Sequence, residues 1–218
     1  MSKVSFNSLI LCAIVISGFV VIWQFLDLSP RRDPNESWYV GPANARWMII
    51  EYADLECPYC KAYTPALKRW VTEQGNVKLK WHHFPLEAHG PAARREAKLV
   101  QCAGFLGGAE TFWEAIDQVL LRSRGNGQGF AGGLVLPNVS AESLAICVRS
   151  NKEVAAVIER QVAIAHERGI SATPTLEVTD TQSGRSVRLE GPVDGAALLS
   201  VIDALAAQPT QRGAEPGQ

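Results

Sequence analysis

The chain has 218 residues, of which 47% are hydrophobic and 20% charged, with a formal net charge of −1. That suits one globular domain plus a small extra piece. The balance of charge leaves no nucleic-acid footprint and excludes a function that rests on a strongly basic surface.

The chain opens on an apolar run. Val4 to Leu26 carries no charged side chain, and as a helix it would reach about 34 Å, against roughly 30 Å of bilayer hydrocarbon. Trp23 stands near its far end, where interface aromatics collect. No small-x-small cleavage site follows the run, so residues 1–26 read as an uncleaved anchor rather than a signal peptide. Cys12 lies inside it as an apolar filler. Counting charges gives Lys3 before the span and Arg31 and Arg32 after it. By the positive-inside rule this mildly favours a cytoplasmic domain, whereas the cysteine chemistry below favours the extracytoplasmic side; we expect the latter.

Residues 27–45 are rich in proline, asparagine and glycine and read as a tether. Trp47 to Tyr52 is an apolar run of strand formers. Pro58 opens a helix running to Gly75 and interrupted by Pro65. Residues 77–86 alternate apolar and polar and read as a second strand, stopped by Pro85. The middle is helical: Pro91 to Leu106, Glu110 to Leu121, a helix capped by Ser140, and Lys152 to Arg168. The loop RSRGNGQGFAGG between the second and third of these shows no pattern. Thr175 to Val178 and Ser186 to Leu189 flank a turn and predict a hairpin, and Asp194 to Ala206 is a last amphipathic helix. Residues 208–218 read as a disordered tail. The order is thus β-α-β over 46–87, a helical insertion over 88–168, and β-β-α over 169–207, an α/β architecture.

The stretch LECPYC carries the chemistry. Cys57 falls at the N-cap of the first helix, with Pro58 at its first position and Tyr59 between the cysteines. The positive end of the helix dipole favours a thiolate at Cys57. Cys60, one turn deeper on the same face, is within reach to resolve a mixed disulfide at Cys57. A zinc site would need four ligands, and only His82 or His83 offers another here. A structural staple would close too short a loop to add much stability. Glu51, six residues before Cys57, is either a buried acid relaying protons to Cys60 or an edge-strand carboxylate facing water. Thr173-Pro174 is either a strand-start proline or a cis peptide.

The ordered set of strand–CPYC–helix, Glu51, HHFPLEAHGPAA, a helical insert and SATPT before a hairpin resembles the DsbA-like thiol:disulfide oxidoreductases, over about residues 38–207. The resemblance implies a thioredoxin fold with an inserted helical subdomain, Cys57 as the attacking cysteine, Cys60 as the buried one and Glu51 as the family's acid. It implies a cis Pro174 beside the cysteine pair, with Thr173, Pro58 and Tyr59 at the substrate surface. It also implies a bridge between Cys102 and Cys147, since similar pairs occur in anchored relatives. No metal or organic cofactor is needed. The implied partners are thiol-containing secreted or periplasmic proteins and a membrane redox partner, DsbB-type for an oxidase or DsbD-type for a reductant. The implied location is the inner membrane, single-pass, with the domain facing the periplasm. Tyr59 and Thr173 depart from the archetypal histidine and valine and are similar to the DsbC and DsbG isomerases. Residues 27–45 are too short for the dimerisation domain of a DsbC-like protein. A metal carrier or a chaperone remains the rival of a different class.

Overall fold

The computed structural model describes residues 38–207. The apolar run at 4–26 and the tail at 208–218 lie outside them. No helix among the described residues is long and apolar enough to cross a membrane.

Five strands form one sheet in the order β1-β3-β2-β4-β5. They are β1 (Tyr39–Val40), β2 (Trp47–Ala53), β3 (Val77–His83), β4 (Thr175–Asp180) and β5 (Ser186–Glu190). The β2–β3 pair is parallel, joined through helix α1 (Pro58–Glu73), and the other pairs are antiparallel. Helices α2 (Gly90–Gly107), α3 (Ala109–Arg122), α4 (Ala141–Ser150) and α5 (Lys152–Glu167) separate β3 from β4, and α6 (Gly195–Ala207) closes the chain.

Part of the stretch read as a tether belongs to the fold. Tyr39 and Val40 pair with Lys80 and Leu79, and Trp38 is buried. A two-residue strand has no periodicity to read, and its place is fixed by the partner strand alone. Pro65 lies inside a helix that continues across it, and β3 ends at His83, short of Pro85.

Strand β2 is central, and its two faces enter different clusters. Trp47, Ile49 and Ala53 join Leu79, Leu176, Val178, Leu67 and Val71 in the main core. Ile50 and Tyr52 meet Phe84, Val162, Ala165 and Ile170 on the opposite face. Each fully buried aliphatic or aromatic side chain contributes about 1.5–3 kcal/mol. Helix α1 turns Cys60, Thr64, Leu67 and Val71 inward at helical spacing. This stripe places the second cysteine under the helix and over the carboxyl end of β2.

Candidate active site

The first cysteine sits where the chain leaves β2 and enters α1. Pro58 is the first helical residue and Cys57 the N-cap, in extended conformation. Pro58 and Tyr59 are exposed, with Tyr59 at 67%, whereas Cys57 and Cys60 are both buried. The two cysteines are unbridged. The Cys57 thiol donates to the Thr173 carbonyl at 3.4 Å rather than accepting from the helix N-terminus. Once the proton is lost, the sulfur becomes an acceptor. The Cys60 thiol then stabilises it most, aided by the Thr173 side chain and the amides of Cys60 and Tyr59, and these together outweigh burial and bring Cys57 down to about 5. The Thr173 hydroxyl has no partner while Cys57 keeps its proton, so the thiolate gives it one.

Cys60 shows the opposite behaviour. Burial, its donation to Cys57 and the nearby Glu51 carboxylate push its thiol well above the ordinary value. Between two adjacent thiols, the environment assigns one to ionise and the other to stay protonated.

Glu51 is fully buried on the core face of β2, between Trp81 on one neighbouring strand and Leu176 on the other. Its Oε1 accepts from Thr64 Oγ1 at 2.7 Å, and its Oε2 has no partner. Burial raises it to about 8, more than the Thr64 bond lowers it. The water-facing alternative for this residue is therefore corrected: the central position of β2 leaves no edge for it to occupy.

The Thr173–Pro174 peptide is cis, and both residues are buried against Cys57 at the head of β4. His82 and His83 are engaged elsewhere. His82 Nε2 lies 2.8 Å from the Gln161 carbonyl, and His83 Nδ1 accepts from Trp81 Nε1. Burial lowers them to about 4 and about 3. Cys102 in α2 and Cys147 in α4 are joined in a disulfide.

Two buried acids beside the cysteines escaped the reading of the sequence. Asp54 accepts from the Glu56 amide, the Leu86 amide and His89 Nδ1, tying the turn before Cys57 to the segment after β3. Glu56, immediately before Cys57, accepts from Ser123 Oγ at 2.6 Å and the Gly129 amide at 2.8 Å. The signal available was their position next to CPYC; apart from the Glu56 amide, their partners lie dozens of residues away.

The thioredoxin family model matches residues 33–204. The solved structure of Pseudomonas aeruginosa DsbA2 is 50% identical, covering 78% of this chain and 94% of that one, with a TM-score of 0.75. The chain is a DsbA-like oxidoreductase of the thioredoxin superfamily. A thiol-disulfide exchange protein of Wolbachia pipientis, alpha-DsbA2, shares the fold at 19% identity, with a TM-score of 0.62 and coverage of 84% and 90%. Curated relatives include Na(+)/H(+) antiporters. That of Salinispora arenicola is 36% identical over 95 residues, 44% of this chain and 14% of that protein. That of Herminiimonas arsenicoxydans is 30% identical over 182 residues, 81% of this chain and 27% of that protein. The DsbA-like chain thus spans only 14% and 27% of the length of these antiporters.

Proposed function

We propose that the protein is an extracytoplasmic dithiol oxidase that introduces disulfides into secreted proteins through Cys57 and Cys60. The opposed titration of the two buried thiols carries this reading. An environment that stabilises the Cys57 thiolate stabilises the reduced form, and so makes the disulfide form a stronger oxidant.

A substrate thiolate attacks Cys57 Sγ of the Cys57–Cys60 disulfide, forming a substrate–Cys57 bond and expelling the Cys60 sulfur. Cys60, held well above the ordinary thiol range, takes a proton. Glu51, protonated up to about 8 and electrostatically coupled to Cys60, is placed to supply it. A second substrate thiolate then attacks the substrate sulfur of the mixed disulfide. Cys57 leaves as a thiolate that is stable at neutral pH, and the substrate departs with a new disulfide. The two electrons now on the cysteine pair pass to a membrane partner of the DsbB type, and Glu51 recovers its proton as Cys60 is oxidised. Thr173, cis Pro174, Pro58 and the exposed Tyr59 form the surface against which the substrate chain lies. The anchor proposed at 1–26 would hold the domain on the periplasmic side of the inner membrane.

Tyr59 and Thr173 favour a second reading, an isomerase or reductase fed by a DsbD-type partner. The reduction potential of Cys57–Cys60, equilibrated against glutathione, decides between them. A value near about −120 mV is expected for the oxidase; one near roughly −270 mV, the thioredoxin range, would establish the reductant. Cys57→Ser should abolish turnover in either case, whereas a chaperone would keep its holding activity.

A further inference from the structure

The loop over Ser123–Phe130 alternates in a way its composition conceals. Ser123, Gly125 and Gly129 are buried, while Arg124, Asn126 and Gln128 are exposed. Gly125, Gly127 and Gly129 all have positive φ. A Cβ on Gly127 would lie 2.7 Å from the His89 carbonyl, and one on Gly129 would lie 3.0 Å from Arg95 Nη2. The glycines let the backbone lie directly on the residues beneath it.

Those residues flank the cysteine motif on both sides. Glu56, just before Cys57, holds Ser123 by its hydroxyl and Gly129 by its amide, and its own carbonyl accepts from the Asn126 amide at 2.8 Å. Lys61, just after Cys60, donates to the Ser123 carbonyl at 2.6 Å. At Gly125 a Cβ would lie 3.4 Å from Pro58 Cγ. The loop is therefore a wall standing against the first turn of α1, with three polar side chains on its outer edge.

Beneath the wall lies a second carboxyl. Glu96 of α2 is fully buried, and neither of its oxygens makes a well-formed hydrogen bond, although the Phe130 amide of the loop lies near enough to act on it. A proton on Glu96 turns it from an orphan acceptor into a donor to Glu56, and one proton then serves both groups. The charges around the pair are Arg95 on the same helix, Lys61 on α1, Arg124 in the loop, and the Asp54–His89 pair beside the Glu56 amide.

We propose that Glu56 and Glu96 are positioning residues that share a proton and thereby latch the Ser123–Phe130 loop as one wall of the polypeptide-binding cleft at Cys57. This deepens the oxidoreductase reading and rests on it. With the proton in place, the Glu56 carboxylate collects its bonds from Glu96, Ser123 and Gly129. When the proton leaves, two buried carboxylates face each other, and the loop is the part free to yield. Burial and the neighbouring Glu56 raise Glu96 to about 8, so the latch opens on the alkaline side.

Two readouts on the purified full chain test this. The first is amide hydrogen exchange over residues 123–130, corrected for the intrinsic pH dependence, from pH 6 to 9.5. The wild type should lose protection at the Asn126 and Gly129 amides through about pH 8. Glu96→Gln, whose amide donates to Glu56 at every pH, should keep it, and Glu56→Gln should lack it throughout. The second readout is the ratio of exchange rates with a cysteine-containing peptide and with glutathione. That ratio should fall on the order of tenfold across the same range in the wild type and stay level in Glu96→Gln, the loss of one hydrogen bond to a charged group. Wild-type protection unchanged to pH 9.5, or the same bend in Glu96→Gln, overturns the latch. Should the chain exchange no thiols at all, the oxidoreductase reading fails while the amide measurement still decides the latch.

Discussion

A cysteine thiol ordinarily titrates near 9.0, and Cys57 does so at about 5. For an acid with a depressed folded value, the stabilisation is fully present above the unfolded value and is lost as the pH falls through the folded one. The reduced protein should therefore gain stability between about pH 5 and pH 9, over and above the oxidised one. Thiolate absorbance at 240 nm should rise with a midpoint near 5 in the reduced protein and be lost in Cys57→Ser. Thr173→Val tests the hydroxyl that has no partner until the thiolate forms. That substitution should move the midpoint up by roughly one pH unit, the worth of a modest hydrogen bond to a charge. It should cost little folding stability below about pH 5 or in the oxidised protein, where no bond to a thiolate is lost, and about 1.4 kcal/mol in the reduced protein at neutral pH. An unmoved midpoint would assign Thr173 a purely steric place beside the sulfur.

At the scale of the elements, strand β2 and helix α1 build the site, and both were readable. The turn from strand to helix is marked by a proline at the first helical position, and the buried stripe from Cys60 to Val71 is plain helical periodicity. The hairpin β4–β5 was equally legible from its turn. What the sequence hid were contacts made across the fold. Glu51 was ambiguous because a carboxylate in a strand looks the same on an edge and in the centre, and only the strand order decides it. Glu96 disappears into an alanine-rich helix, and the loop at 123–130 looks patternless until its glycines are seen against Glu56 and His89. The central position of Glu51 has a measurable consequence. Its folded value of about 8 lies above the ordinary 4.5, so the folded state holds a proton that the unfolded state releases between those values. Stability should fall as the pH rises from about 4.5 to about 8, and the penalty should persist above. Glu51→Gln keeps an acceptor for Thr64 and removes the ionisation. Denaturant midpoints should show it no more stable than the wild type at pH 4.5 and more stable by a few kcal/mol at pH 8.5, since each tenfold change in the ionisation constant is worth about 1.4 kcal/mol. The expulsion of Cys60 should slow in the same variant. A gain in stability with unchanged exchange rates would leave Glu51 as a passive buried acid.

For the whole molecule, the question is how a helical insertion of this length stays ordered against a five-stranded sheet. Part of the answer is shared core: Val100, Ala103, Ala115, Ile116 and Val119 are fully buried in the same cluster as Ile49, Leu79 and Leu176. The other part is covalent. The Cys102–Cys147 bridge joins α2 to α4 across a sequence separation of 45 residues. In the chain-entropy account, a loop of that size restricts the unfolded ensemble by on the order of 4 kcal/mol. Both residues of the bridge are buried in the core. Replacing both Cys102 and Cys147 with alanine should thus lower the melting temperature by on the order of 10 °C. The reduction potential of Cys57–Cys60 should change little, because the titration of those two thiols is set by each other, Thr173 and Glu51. A thermal melt and a glutathione equilibration on the same variant separate the two effects. A large drop in stability with an unchanged potential confines the bridge to holding the insertion in place. A shifted potential would mean that the insertion, and the wall it presents through Ser123–Phe130, reaches the cysteines energetically as well as geometrically.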